Sequence, residues 1–319
     1  MGGPLVSVII PAFNAERWIR EAIDSSLRQS WRNTEIIVID DGSTDTTLDL
    51  LHTFRGAIRW RSVPHRNGNY ARNIGFSLSK GEYVQFLDAD DYLVPGKIET
   101  QVGFLELTGA DVVYGDWRHQ HHEDEGNVWV EDVVLSGDQP DVLQALLAGW
   151  WVAPCALLFR RQVVENIGGW DERLLAAQDR DFFIRIAQSG ADIRYQRGCG
   201  SFYRRYGNVT VSTSKRRRWL EAHRIVLDKA TANLSSSGLL KQQYKEAVAA
   251  SYFVLARNYF DIDRDAYDEL MANVLYLDPR FRPKESPMYN ITQRIFGFGV
   301  AEQLARLKRR SVSQLSGTN

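Results

Sequence analysis

The stretch "EYVQFLDADDYLVP", residues 82–95, places three carboxylates, Asp88, Asp90 and Asp91, directly behind a run of apolar and aromatic residues. Such a run, four to eight residues long, reads as a buried strand. Carboxylates this close repel one another, and burial raises the cost of ionising them. Three arrangements tolerate that: a bound cation, a nucleophilic aspartate, or a solvated turn. The rest of the chain decides among them.

Working outward, the first 115 residues alternate strand and helix signals. "LVSVII" (5–10) and "EIIVID" (35–40) are β-branched runs, a third strand falls at 58–63, and "DVVYGD" (111–116) follows the opening stretch as a fifth. Helical spacing fills the gaps, at 15–30 through Trp18, Ile19, Ala22, Ile23 and Leu27, after Ser43–Asp45, and from about Asn69 to Leu78. Apolar strands separated by helices predict a Rossmann-like, mostly parallel sheet covered on both faces. Ligands of such sheets bind beyond the carboxyl ends of the strands. Polar residues gather at those ends: Pro11, Phe13 and Asn14, then Asp40 and Asp41, then the aspartate trio, then Asp116 and Trp117. One polar turn is ordinary; four on one sheet edge predict a site.

Four strings in order, "VSVIIPAFNAERWIREAIDSSLRQSW", "EIIVIDDGSTDTT", "ARNIGFSLSKGEYVQFLDADD" and "GGWDERLLAAQDRDFFIRIAQSG", resemble the family-2 inverting glycosyltransferases across roughly residues 4–210. The resemblance implies a GT-A fold, a nucleotide-diphosphate-sugar donor (a UDP-sugar in first place) and Mn²⁺ or Mg²⁺. It implies Asp90 as the direct metal ligand, with Asp88 facing the ribose or metal-bound water. The donor is then bordered by Pro11, Phe13, Asn14, Asp41, Asn67, Arg72, Asp88, Ala89 and Asp90. Phe13 stacks near the base and Asp41 accepts from a uracil-like imide, while Asp91 is expected to bond to the turn that follows it. The proton acceptor implied is Asp179, ahead of Asp181, with Gln178 standing where the family more usually has Glu. Asp171 is expected to cap a turn. Arg204 and Arg205 in "FYRRYGNVTVS" are candidates for the diphosphate, and Trp150 and Trp151 for the sugar and acceptor. Two alternatives stay open: a catalytically silent nucleotide-sugar-binding scaffold, and a nucleotidyltransferase, although "PAFNAERW" lacks the Gly-rich basic loop the latter would use.

The composition, 44% hydrophobic and 25% charged, is that of a globular protein. No run of about 18 apolar residues predicts a spanning helix, the start does not read as a signal peptide, and two cysteines exclude a disulfide framework. A cytoplasmic location follows, and no nucleic-acid partner is expected. Charge is asymmetric: residues 1–200 hold 19 Lys+Arg against 29 Asp+Glu, and residues 201–319 hold 20 against 11. The chain divides into a catalytic domain, 1–215, and a helical region, 216–319, with helices near 216–234, 239–260, 264–277 and 289–310. "RHQHHEDEGN" (118–127) reads as an exposed loop with His119, His121 and His122 at a solvated tip. The acceptor expected is a saccharide or lipid-linked saccharide. Within 288–310, Ile291, Ile295, Phe298, Leu304 and Leu307 recur at helical intervals beside Arg294, Arg306, Lys308, Arg309 and Arg310. A basic amphipathic helix of this kind suits peripheral contact with the inner face of the cell membrane.

Overall fold

A computed structural model of the chain describes residues 3–123, 126–206 and 216–316. The β-branched runs form the parallel strands β1 (Val6–Ala12), β2 (Thr34–Asp40), β3 (Arg59–Ser62) and β4 (Tyr83–Phe86), in spatial order β3-β2-β1-β4. Helices α1 (Ile19–Leu27), α2 (Thr47–Thr53) and α3 (Gly68–Leu78) make the crossovers. The α3 helix starts at Asn67, whose side chain accepts the Tyr70 N–H at 3.0 Å, satisfying a donor the helix leaves open. Its inner face packs on Ile37, Ile39 and Val63. At Gly75 the helix passes so close to β1 that a Cβ would collide with Ile9.

Past β4 the sheet continues through β5 (Tyr92–Leu93), β6 (Val112–His122), β7 (Val128–Val130), β8 (Leu157–Arg160) and β9 (Ile193–Tyr206). The order is β3-β2-β1-β4-β8-β6-β9-β5, with β7 paired to the outer half of β6. Strand β8 is antiparallel to both β4 and β6, whereas β9 runs parallel to β6 along its length. With the intervening helices α4 (Lys97–Thr108), α5 (Val142–Leu147), α6 (Arg161–Asn166) and α7 (Gln178–Gln188), this is the mixed α/β curled sheet of a GT-A fold.

One expectation fails here. Residues 118–122 are not an exposed loop but the outer half of β6, and His119 is buried. Their polar letters mislead because both faces of the strand are covered by aromatic and charged side chains rather than by aliphatic ones. For the same reason Asp116 and Trp117 do not end the strand; the Asp116 carboxylate is held inside by Tyr195 Oη and the Gly198 N–H, at 2.8 and 2.9 Å.

Two compact units divide between Leu234 and Ser235. Helix α8 (Arg216–Ser236) lies almost wholly in the first, whereas the sequence pattern places it in the C-terminal region. The second unit holds α9 (Gln242–Tyr259), α10 (Arg264–Leu277) and α11 (Pro287–Ser316). Asp263 caps α10 by accepting the Ala266 N–H, and Tyr267, Leu270, Met271, Val274 and Leu277 form its buried stripe. Gly297, at φ 83° and ψ 169°, breaks α11. Glu302 is fully buried between Arg257 and Arg306 at 2.8 and 3.1 Å. Phe298 points inward onto Phe253 and Phe281, so it does not belong to the exposed stripe expected of this helix. No helix among the described residues is long and apolar enough to cross a membrane.

Candidate active site

The carboxyl ends of β1, β2 and β4 surround a cleft with about 630 Å³ of open space. Eight of the nine residues expected at the donor line it: Pro11, Phe13, Asn14, Asp41, Arg72, Asp88, Ala89 and Asp90. The ninth, Asn67, does not. Its Oδ1 caps α3 and its Nδ2 donates to the Glu172 carbonyl at 2.9 Å, so its polar groups serve the scaffold.

At the β1–β2 end the Phe13 ring is exposed on one side and stacked on His65 on the other, with centroids 4.0 Å apart. The Asp41 carboxylate is buried, accepting the Arg66 N–H at 2.9 Å and meeting His65 Nδ1 at 3.0 Å. Asn14 sits at φ 47° and accepts the Thr44 N–H through Oδ1 at 2.8 Å, tying the two strand ends together.

At the β4 end charge is concentrated. Arg72 is buried on α3 and reaches Asp88 Oδ1 at 2.5 Å. Burial opposes the Arg72 charge, yet Asp88, Asp179 and Asp90 together raise its pKa. Its guanidinium lies over the Trp170 ring, which stacks flat on Phe182 of α7 at 4.0 Å. Loss of water around Asp90, together with the Asp88 charge, pushes the Asp90 carboxyl up to about 6. Tyr206 Oη donates to Asp90 Oδ2 at 3.1 Å.

Asp91 is buried, and its Oδ1 accepts the Arg204 N–H of β9 at 2.9 Å, so it fastens the loop to β9 rather than to the turn that follows it. Burial, with Asp90 and Asp88 close by, holds its carboxyl well above the usual range. Arg204 is itself enclosed. Its guanidinium donates to the Asp90 carbonyl and to Glu21, both at 2.5 Å, and lies 4.2 Å above the Trp18 ring. It is a strut under the aspartate loop and does not line the cleft. Arg205 is exposed on the opposite face, and 207–212 of "FYRRYGNVTVS" lie outside the described residues.

Asp179 stands in the first turn of α7, which follows Ala177 in the left-handed region at φ 55°. Its carboxyl is raised to about 6 by burial, pulled down by Arg72, pushed up by Asp88 and pulled down by Trp151. Its Oδ1 is buried without a hydrogen-bond partner. An acceptor poised near neutral pH with a free lone pair suits proton abstraction. Asp181 is different: it is buried against Arg185 at 2.7 Å and Lys229 at 2.8 Å, in a purely internal ion cluster. Asp171 does hold a turn, accepting the Arg173 N–H at 3.2 Å, and Arg173 with Lys229 keeps its carboxyl far below the ordinary range despite partial burial.

Sequence reading missed Trp18, His65 and Tyr206. The last was signalled by spacing, since Tyr206 stands two residues beyond Arg204 on the same strand and therefore on the same face.

The family described as Glycosyl transferase family 2 matches residues 7–168. The chain belongs to that family. The Escherichia coli UDP-Glc:alpha-D-GlcNAc-diphosphoundecaprenol beta-1,3-glucosyltransferase WfaP is 30% identical over 223 residues, 66% of this chain and 82% of that protein. The structure of S. aureus TarS residues 1–349 in complex with UDP-GlcNAc superimposes with a TM-score of 0.68 at 18% identity, covering 95% of this chain and 92% of that one. The mannosyltransferase PcManGT from Pyrobaculum calidifontis, in complex with GDP-Man and Mn²⁺, matches with a TM-score of 0.50 at 16% identity, over 95% and 87%. Three rickettsial glycosyltransferases without an assigned activity are 31–34% identical, and the chain spans 31%, 58% and 27% of their lengths.

Proposed function

We propose that the chain is an inverting glycosyltransferase that moves a sugar from a nucleoside-diphosphate sugar, UDP-linked in first place, to the hydroxyl of a saccharide or lipid-linked acceptor in surface-polysaccharide or glycolipid synthesis. The observation that carries this is the division of carboxylates around Arg72: Asp88 and Asp90 inside the cleft, Asp179 apart from them on α7. The uridine ligand of TarS and the UDP-sugar named for WfaP support the choice of donor.

Asp179 accepts the proton of the acceptor hydroxyl as that oxygen bonds to the anomeric carbon. The bond from that carbon to the diphosphate oxygen breaks on the opposite side, which inverts the centre and releases the nucleoside diphosphate. Phe13 offers a ring face to the base, and the Asp41 carboxylate keeps lone pairs free for an imide N–H beyond those used by Arg66 and His65. Arg72 balances the negative charge between the two carboxylate groups.

A divalent cation fits this donor set. No group of three or more His, Cys, Asp or Glu side chains that could hold a metal occurs among the described residues. A pair such as Asp90 and Asp88 suits Mg²⁺ or Mn²⁺, which take one or two carboxylates and complete their shell with water and substrate phosphates. Asp90 would hold it with Asp88 alongside, and when bound it would offset the charge developing on the departing diphosphate. PcManGT, captured with GDP-Man and Mn²⁺, supports this.

For the C-terminal unit we place 288–310 against the inner face of an anionic membrane, where a lipid-linked acceptor like that named for WfaP would reside. Met288, Ile291, Ile295 and Phe296 are all more than half exposed, with Arg294 among them.

The test is release of UDP from a panel of UDP-sugars with Mn²⁺, by wild type and Asp179→Asn. Turnover lost in the variant supports the assignment. Binding without turnover in the wild type would favour a silent scaffold, the reading for which Gln178 is the one observation.

A further inference from the structure

The chain leaves β3 along the end of β2, because the Val63 N–H donates to the Asp40 carbonyl at 2.9 Å. Gly42 lets the two segments close further. It sits at φ 75°, and a Cβ there would fall 2.8 Å from the His65 backbone nitrogen, so only glycine permits the approach. That approach sets His65 between two residues of the cleft, Phe13 after β1 and Asp41 after β2. Arg66, the next residue, gives its N–H to Asp41 Oδ1 at 2.9 Å.

The His65 ring makes two kinds of contact. Its Nδ1 lies 2.9 Å from the Asp41 carbonyl oxygen and 3.0 Å from Asp41 Oδ2. Both oxygens are acceptors, so Nδ1 carries the proton and donates. The ring face stacks on Phe13, with the two planes 22° apart. Core packing does not explain this placement. The His65 side chain is 53% exposed and Phe13 45%, so the stacked pair stands at the surface, whereas Asp41, at 3%, is enclosed where it lines the cleft.

We propose that His65 sets nucleobase selectivity: held between Asp41 and Phe13, it fits the cleft to a base with an imide N–H, uracil above all, and against cytosine. The inference rests on the nucleoside-diphosphate donor proposed above. It adds the residue that aims the base contacts and the base that is refused. As a carboxylate, Asp41 only accepts. Uracil brings a ring N–H between two carbonyls, which gives Asp41 a proton to accept. Cytosine brings a bare ring nitrogen to the same place, so lone pairs face one another and a buried acceptor goes unpaired. Refusal requires that the carboxylate cannot turn away. The His65 Nδ1–H on one oxygen and the Arg66 N–H on the other hold it. The His65 ring fixes the second contact, since it backs Phe13 and keeps the opposite face of that ring turned to the base. His65 acts through these two side chains and is a positioning residue.

Calorimetric titration of UDP and of CDP, each with Mn²⁺, into wild type, His65→Phe and His65→Asn tests this. The two nucleotides differ only at the base edge that Asp41 meets. Wild type should prefer UDP by about 10- to 150-fold, the worth of a hydrogen bond to a charged group. His65→Phe keeps a ring behind Phe13 and loses the donor, so that preference should fall by at least about fivefold. His65→Asn keeps an N–H within reach of Asp41 and loses the ring. Its preference should stay, while both nucleotides weaken by about 2- to 12-fold, the value of one aromatic contact. A general loss of folded protein would weaken both nucleotides alike and leave their ratio unmoved. The inference is overturned if wild type binds UDP and CDP equally, if His65→Phe keeps the full preference, or if His65→Asn loses it as His65→Phe does. Each of those results leaves the proposed donor standing, because UDP still binds. Binding of neither nucleotide to wild type removes the proposed function, and the role of His65 with it.

Discussion

Replacing Asp179 with Asn should make the protein more stable and less active, and the stability gain should depend on pH. The Asp179 carboxyl titrates near 6 in the folded chain against an ordinary value of 3.8. Folding therefore favours its protonated form. Below about pH 4 the group is protonated whether folded or not, and its ionisation costs nothing. As pH rises through 6 the folded chain must carry the buried charge. A shift of about two units corresponds to about 3 kcal/mol, at 1.36 kcal/mol per unit. The residue is half-buried, so solvent screening trims this to about 2 kcal/mol. For a unit of this size that is about 4–8 °C in Tm. Asn has the same shape and no charge to bury. Thermal unfolding in EDTA without nucleotide should therefore show the variant about 4–8 °C above wild type at pH 7.5 and level with it near pH 4. In the same preparation kcat should fall by about 10²–10⁴-fold, the usual worth of a general base. A variant melting below wild type at pH 7.5, or one whose gain is the same at both pH values, would refute the assignment of a strained, ionised base.

Asp181→Asn should act in the opposite sense, since it breaks two buried ion pairs: a loss of about 3–5 kcal/mol read by denaturant unfolding. Arg204→Ala should cost about 2–4 kcal/mol through lost hydrogen bonds and its contact over Trp18, and should raise the KM for metal more than the KM for acceptor. Activity should fall on the acid side with apparent pKa values near 6 shared by Asp90 and Asp179, checked by a pH profile of kcat/KM. Anionic vesicles should sediment the full chain at low salt and release it at high salt, and Ile295→Glu should abolish sedimentation; no sedimentation at low salt contradicts membrane contact.

The central sheet was legible because β1, β2 and β4 are buried on both faces and so spell continuous apolar runs. The cleft followed, since polar residues that interrupt such runs at their carboxyl ends share one edge. The outer sheet was not legible. Strand β6 beyond Asp116 is written in His, Gln and Arg, and its burial comes from partners far along the chain: Trp18, Trp151 and the whole of β9. Asn67 and Arg204 show the same limit at single residues. Both stand inside matching motifs, but Asn67 is spent on capping α3 and Arg204 on bracing the aspartate loop, neither of which spacing alone reveals. Asp179 and Asp181 separate only in three dimensions, where one carboxylate keeps a bare oxygen and the other is saturated by cations.

The most direct measurement is calorimetric titration of UDP into wild type and Asp90→Ala, each with Mn²⁺ and with EDTA. A cleft in which Asp90 holds the metal predicts that Mn²⁺ strengthens UDP binding to wild type by at least about tenfold, a difference of about 1.4 kcal/mol, and has little effect on Asp90→Ala. Equal UDP affinity in all four titrations, or no UDP binding in any, would contradict it.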